Sequence, residues 1–217
     1  MKSKVNIRIL ISILLIPIIF GSIGCSSFLR GLYGIKKIKN IDENTIKHYA
    51  LKYNIPAADI YKLDTAYISY LLSLDTVKFK TQIKNHLQPL QALYYDKSGQ
   101  LISFQINCYA GGFPNLKWNR NKIMEAFPPS QQAPLDSILR LDTQFNYIKS
   151  LSQTKSDYRE KSDYTVIVYW SKFMGRQSKR FIRYIQNNIH LASEKNIKVI
   201  YVNTDNIYAN HVKVNIN

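Results

Sequence analysis

The chain has 217 residues, enough for one domain with a short extension, and 30 Lys and Arg against 14 Asp and Glu give a formal net charge of +16. Apolar residues make up 46% and aromatics 12%, which supplies a packed core and excludes wholesale disorder. The two cysteines, Cys25 and Cys108, form no CxxC pair, which argues against a disulfide scaffold or a cysteine-ligated zinc. The basic balance raises nucleic acid as a partner, and the N-terminus argues against it.

Lys2, Lys4 and Arg8 precede an uncharged run from Ile9 to Leu29 that is rich in Ile and Leu. The run contains Gly21-Ser22-Ile23-Gly24 and then Cys25, the layout of a secretory signal. It resembles a bacterial lipoprotein signal of the Bacteroidetes type: a small residue directly before a cysteine, with Ser26 and Ser27 behind it. The family usually has Leu three residues before the cysteine, where this chain has Ser22. The resemblance implies a signal peptide over 1–24, with Cys25 as the acylated first residue of the mature chain. Its thiol would be a thioether, and multiple acyl chains would hold the protein firmly on the membrane. The alternative is an uncleaved signal anchor, because 9–29 are 21 uncharged positions, long enough to span. No acid occurs in Ser26–Arg30, so the expected location is the cell envelope, on the outer membrane and facing the periplasm.

Residues 25–41 read as a lipid-anchored tether, and 42–217 as a single α/β domain. Asp42 is a fair helix N-cap, and Ile46, Tyr49, Ala50, Leu51 and Tyr53 recur behind it at helical spacing. A second helix is expected near Asp64–Leu74, with Tyr67, Ile68, Leu71 and Leu72 facing the core. Gln91–Tyr95 and Leu101–Asn107 are strand-like runs around Asp96-Lys97-Ser98-Gly99, which predicts a β-hairpin. Gly111, Gly112 and Pro114 mark a loop, and the periodicity of Asp136–Leu151 predicts a helix with Ile138, Leu139, Leu141, Phe145 and Ile148 on one side. Ser152–Ser162 reads as a polar connector.

The most informative stretch is 164–205. Tyr164–Trp170 and Ile197–Asn203 are continuous apolar runs, as in strands buried on both faces, and a helical pattern starts near Gly175 between them. Strand, helix and strand at this spacing make a βαβ unit with parallel strands. The unit resembles the thioredoxin-like fold. Tyr169-Trp170 ends the first strand as Phe-Trp does in that family, and Val202-Asn203-Thr204-Asp205 ends the second. Phe173 takes the place of the active-site tryptophan and Gly175 matches the glycine. Met174 stands where the nucleophilic cysteine would be, Arg176 where the proline would be, and Gln177 where the resolving cysteine would be. The resemblance therefore implies the scaffold without its chemistry. Thiol exchange needs a thiolate at a helix N-terminus and a second thiol to resolve the mixed disulfide. The chain ends soon after Asp205, so the family's terminal hairpin is missing from its usual place in sequence order, and the 91–107 hairpin is expected to stand in for it.

Cys108 ends a predicted strand and reads as a small buried residue; the competing reading is a nucleophile, paired with His86. His48, His86, His190 and His211 are scattered and predict no metal site, and no cofactor is expected. Arg176, Lys179, Arg180 and Arg183 fall at i, i+3, i+4 and i+7, one face of the helix, while Phe181, Ile182, Ile185, Ile189 and Ala192 fall on the other. Such a face is ordinarily solvated; as a site it would take an acidic protein or an anionic lipid. The fold class expected is α/β, a mixed sheet with a thioredoxin-like βαβ unit, a hairpin and N-terminal helices. The function expected is a non-catalytic, membrane-anchored binding or assembly protein. An envelope thiol oxidoreductase acting through Cys108 and a partner thiol is the alternative.

Overall fold

The structure is a computed structural model, and it describes residues 34–108, 117–152 and 162–214. The signal segment, Cys25, the Gly111–Pro114 loop and most of the 152–162 connector lie outside the described residues. In chain order the elements are α1 (Glu43–Lys52), β1 (Ile60–Leu63), α2 (Ala66–Ser73), α3 (Lys80–His86), β2 (Gln91–Asp96), β3 (Leu101–Ile106), α4 (Leu141–Phe145), β4 (Ile148–Ser150), β5 (Tyr164–Trp170), α5 (Arg176–His190), β6 (Ile197–Asn203) and α6 (Asp205–Val214). The six strands form one mixed sheet in the order β3-β2-β5-β6-β1-β4.

The βαβ unit is present as expected. β5 and β6 are parallel, from Tyr164↔Ile197 to Trp170↔Asn203, with α5 crossing between them. The period of two along β5 divides the core. Val166, Val168 and Trp170 face one side, where Ile46, Ala50, Tyr53, Phe181, Ile182 and Ile185 cover them. Ile167 and Tyr169 face the other, against Tyr67, Leu71, Ile83 and Phe145. Helices therefore cover both faces of the sheet, which is why its central strands carry no polar alternation.

The hairpin also forms. β2 and β3 pair around a turn in which Asp96 Oδ1 accepts from Ser98 N and Gln100 N, and Gly99 takes a φ of +74°. β2 lies antiparallel against β5, on the side away from β6. The hairpin thus extends the sheet from β5 outwards, with β3 at the edge. β1 completes the parallel set by pairing with β6.

Three local expectations change. Asp136–Leu151 is not one helix: it holds the short α4 and then β4, which pairs antiparallel with β1 as Leu63↔Ile148 and Tyr61↔Ser150. Pairing along the open edge of β1 outcompetes the helical periodicity, and Leu139, Phe145 and Ile148 are buried all the same. On α2, Tyr67 and Leu71 are buried but Leu72 is exposed, and on α1 Leu51 is exposed. Both sit at the solvent margin of their helices, beyond the reach of the sheet. Asp42 caps α1 as read, its side chain accepting from Thr45 N at 2.6 Å.

The part of the expected tether that is described, 34–41, is a strap laid on the domain. Ile35, Ile38 and Ile41 pack against the core on the α5 side of the sheet. Ile41 N donates to Asn206 Oδ1 at 2.8 Å, and Asn206 Nδ2 donates to Ile41 O at 2.9 Å. Lys36 N donates to Phe173 O at 2.7 Å.

Candidate functional site

β5 ends at Trp170, and residues 171–175 turn the chain into α5, so Met174–Gln177 lies at a helix N-terminus, as the resemblance requires. The turn is held from below by Asp205, which follows β6. Its carboxylate accepts from Lys172 N at 2.6 Å, Phe173 N at 3.1 Å and Asn203 Nδ2 at 2.8 Å. Burial pushes the Asp205 carboxyl above its ordinary value, with these donors pulling against that shift. Trp170 O accepts from Thr204 N at 2.9 Å. Tyr53 approaches from α1: its ring meets Trp170 edge-on at 5.6 Å, and its hydroxyl donates to Gly175 O at 3.3 Å. Burial lifts that hydroxyl to about 12, so it remains a neutral donor.

Gly175 is the conformational key. Its φ is +51° and its ψ −117°. A Cβ there would stand 2.3 Å from the Gly34 carbonyl oxygen, so the strap crosses in direct contact with the turn. Glycine supplies both the dihedral and the close approach.

At the two positions that the resemblance gives to cysteines the side chains are Met174 and Gln177. Met174 is buried, as are Phe173 and Trp170, and Phe173 packs edge-on to Tyr208 at 5.6 Å. A thioether does not ionise to a nucleophile, and an amide cannot resolve a mixed disulfide. The strap lies across the turn in addition. The helix N-terminus itself is formed, with Gln177 in its first turn and Met174 in the turn before it.

Cys108 follows β3 and is half-buried; its Sγ accepts from Asn107 Nδ2 at 3.3 Å, and burial pushes the thiol up, away from the thiolate. No hydrogen bond joins His86 to it. The His86 ring is buried and stacked on Phe104 at 4.8 Å; Nε2 sits 3.1 Å from both Asp136 oxygens, and Nδ1 has no hydrogen-bond partner. Among the described residues no group of three or more His, Cys, Asp or Glu is placed to hold a metal, and no helix is long and apolar enough to cross a membrane.

The cationic face of α5 is where the heptad-like spacing puts it. Arg176, Lys179, Arg180 and Arg183 are exposed, while Phe181, Ile182, Ile185 and Ala192 are buried and Ile189 is half-buried. The four cations line a groove of about 220 Å³ with Tyr53 and Asn54 from the end of α1. Gln186 Nε2 donates to Asn54 O at 2.8 Å and ties the two walls together.

Sequence reading missed three further cations beside this groove. Lys36 of the strap, Lys52 of α1 and Lys172 of the turn place their ammonium groups 5.4, 5.7 and 4.9 Å from the Tyr49 ring centroid. Tyr49 in turn meets Tyr53 at 6.1 Å, so the two groups of cations adjoin through a pair of tyrosines. No spacing rule links positions 36, 52 and 172; only the fold brings them together.

No family model matches the chain, and neither a curated protein nor a solved structure shows a significant similarity to it.

Proposed function

We propose that this chain is a non-catalytic lipoprotein of the cell envelope, anchored through Cys25, which uses a redox-inactive thioredoxin-like scaffold for binding or assembly. One observation carries the non-catalytic part. The turn into α5 bears Met174 and Gln177, with Met174 buried and the strap bonded to the adjacent Phe173 carbonyl. The anchored part is supported by the basic, apolar, small-residue and cysteine order of residues 2–25. The expected location remains the outer membrane, facing the periplasm.

Two measurements test the two parts separately. Growth of expressing cells with a clickable fatty-acid analogue should label the full chain, and Cys25→Ala should abolish the label. An unlabelled wild-type chain would replace the lipoprotein reading with the signal anchor. In an insulin-reduction assay the full chain should show no turnover, and Cys108→Ser should behave identically. Turnover that depends on Cys108 would establish the thiol oxidoreductase instead. Iodoacetamide alkylation of Cys108 should be slow at neutral pH and should accelerate only above the usual thiol range, since burial raises its pKa.

A further inference from the structure

We infer that the surface formed by Arg176, Lys179, Arg180 and Arg183 together with Lys36, Lys52 and Lys172 docks on the anionic phosphate headgroups of the membrane that carries the chain. The inference deepens the proposed binding role and rests on the Cys25 anchor for its geometry. Four separate segments contribute the cations: the strap, the end of α1, the turn after β5, and α5. A solvated helix face accounts for the four on α5 alone. It does not account for three more gathered about the adjoining Tyr49 ring. Among the described residues, Lys179, Arg180 and Arg183 form no ion pair. The Lys172 charge reaches two acids, Asp42 and Asp205, and both carboxylates are already engaged, the first in capping α1 and the second in accepting from the Lys172 and Phe173 amides. Bringing like charges together costs energy that a polyanionic surface recovers.

The position of the strap selects a lipid surface as the occupant. Gly34 lies against Arg176, with the site of a Gly34 Cβ only 2.9 Å from Arg176 Nε. The nine residues from Cys25 to Gly34 extend to at most about 30 Å, so the anchor and the cationic surface leave the domain at the same place. Each cation brought to an anionic leaflet adds about a five-fold preference, and the tether keeps that surface within reach at all times. Arg180 and Arg183 line the groove and are exposed, so their guanidinium groups are accessible to headgroup phosphates, which they match in geometry.

The test uses the full chain incorporated into vesicles of phosphatidylcholine alone or of phosphatidylcholine mixed with phosphatidylglycerol. An uncharged acetylating reagent reads the exposure of Lys52 and Lys179 by mass spectrometry. Lys97, in the hairpin turn at the other end of the sheet, is the internal control. Acetylation of Lys52 and Lys179, and not of Lys97, should slow by on the order of five-fold or more in the anionic vesicles. High salt should reverse the slowing. The Arg180→Gln/Arg183→Gln variant, both positions being exposed, should recover most of the neutral-vesicle rate.

Equal rates in the two vesicle types would overturn the inference. So would protection that needs added envelope proteins and appears equally in neutral vesicles, which would assign the surface to an acidic protein. The outcome separates from that of the anchor. Slowed acetylation on a chain without acyl groups at Cys25 retains the docking and retires the lipoprotein; equal rates on an acylated chain do the opposite.

Discussion

Replacing Gly175 by alanine is expected to cost about 3 kcal/mol of stability and to loosen the strap. The residue combines a φ of +51° with a ψ of −117°, a region that side chains with a Cβ rarely enter. The added methyl would also stand 2.3 Å from the Gly34 carbonyl oxygen, which is backbone and cannot rotate aside. The chain can relieve the clash only by lifting 34–36 from the turn, which breaks the Lys36 N to Phe173 O bond. For a domain of this size the loss corresponds to roughly 6–12 °C in Tm. Trypsin should report the loosening directly, by faster cleavage after Lys36, Lys37 and Lys39. Gly99→Ala is the control. Its φ of +74° is also strained, but the nearest contact is the Leu141 Cβ at 3.3 Å. It should cost about 1 kcal/mol and leave strap cleavage unchanged. A Gly175→Ala protein with wild-type Tm and wild-type cleavage would show that the strap does not bear on the turn.

Asp205→Ala should be more damaging, by about 4 kcal/mol, because it leaves the Lys172 and Phe173 amides and the Asn203 side-chain amide without their acceptor in a buried site. Asp205→Asn keeps one acceptor oxygen and should cost about half as much. The carboxylate also leaves a signature in pH. Its folded-state pKa is raised, burial being the largest cause. The folded protein therefore holds this proton more tightly than the unfolded chain does. Its contribution to stability is greatest in acid and declines as pH rises from about 3.9, the unfolded value, to the raised folded value, then levels off. Asp59, raised by burial, acts in the same direction, whereas Asp42, Glu43, Asp64 and Asp96, all lowered, act in the opposite one. The quantity to measure is thus the difference between wild type and Asp205→Asn in urea midpoint across pH 4–7. The gap between them should narrow as pH rises, because only the wild type loses this contribution. A gap independent of pH would mean that Asp205 titrates at its ordinary value.

What was legible in the chain was whatever local pattern and tertiary need agree upon. The doubly buried strands β5 and β6 announce themselves as Tyr164–Trp170 and Ile197–Asn203, since covering both faces leaves no polar positions. The Asp96–Gly99 turn and the Asp42 cap are side-chain-to-backbone events within a few residues, and both appear where read. The place of Met174–Gln177 at a helix N-terminus was implied by the resemblance and by the helical pattern that starts near Gly175. Long-range pairing is what sequence concealed. β4 exists because β1 has an edge to fill, and positions 148–150 alone carry too few residues to declare a strand. The strap reads as a polar, lysine-rich linker because its three isoleucines, Ile35, Ile38 and Ile41, are spaced for one-sided burial without belonging to any element. The arrangement around Tyr49 joins residues separated by up to 136 positions, and only α5's share of the cationic surface had a period to reveal it.

The strand order has a consequence for how the protein reaches this structure. β1 finds its partner in β6, with Ile60 opposite Tyr201, and β2 finds its inner neighbour in β5, with Gln91 opposite Tyr169. The strap closes on Asn206, 165 positions along the chain from Ile41. The two strands at the centre of the sheet are therefore the last two of the described strands in chain order. A chain emerging N-terminus first holds β1 and the hairpin without their inner neighbours until residues 164–203 are available. Such long closures slow folding and leave strand edges open while they wait. Cooperative assembly should begin only once β5, α5 and β6 are present together, which makes the C-terminal third the nucleus around which the earlier segments condense.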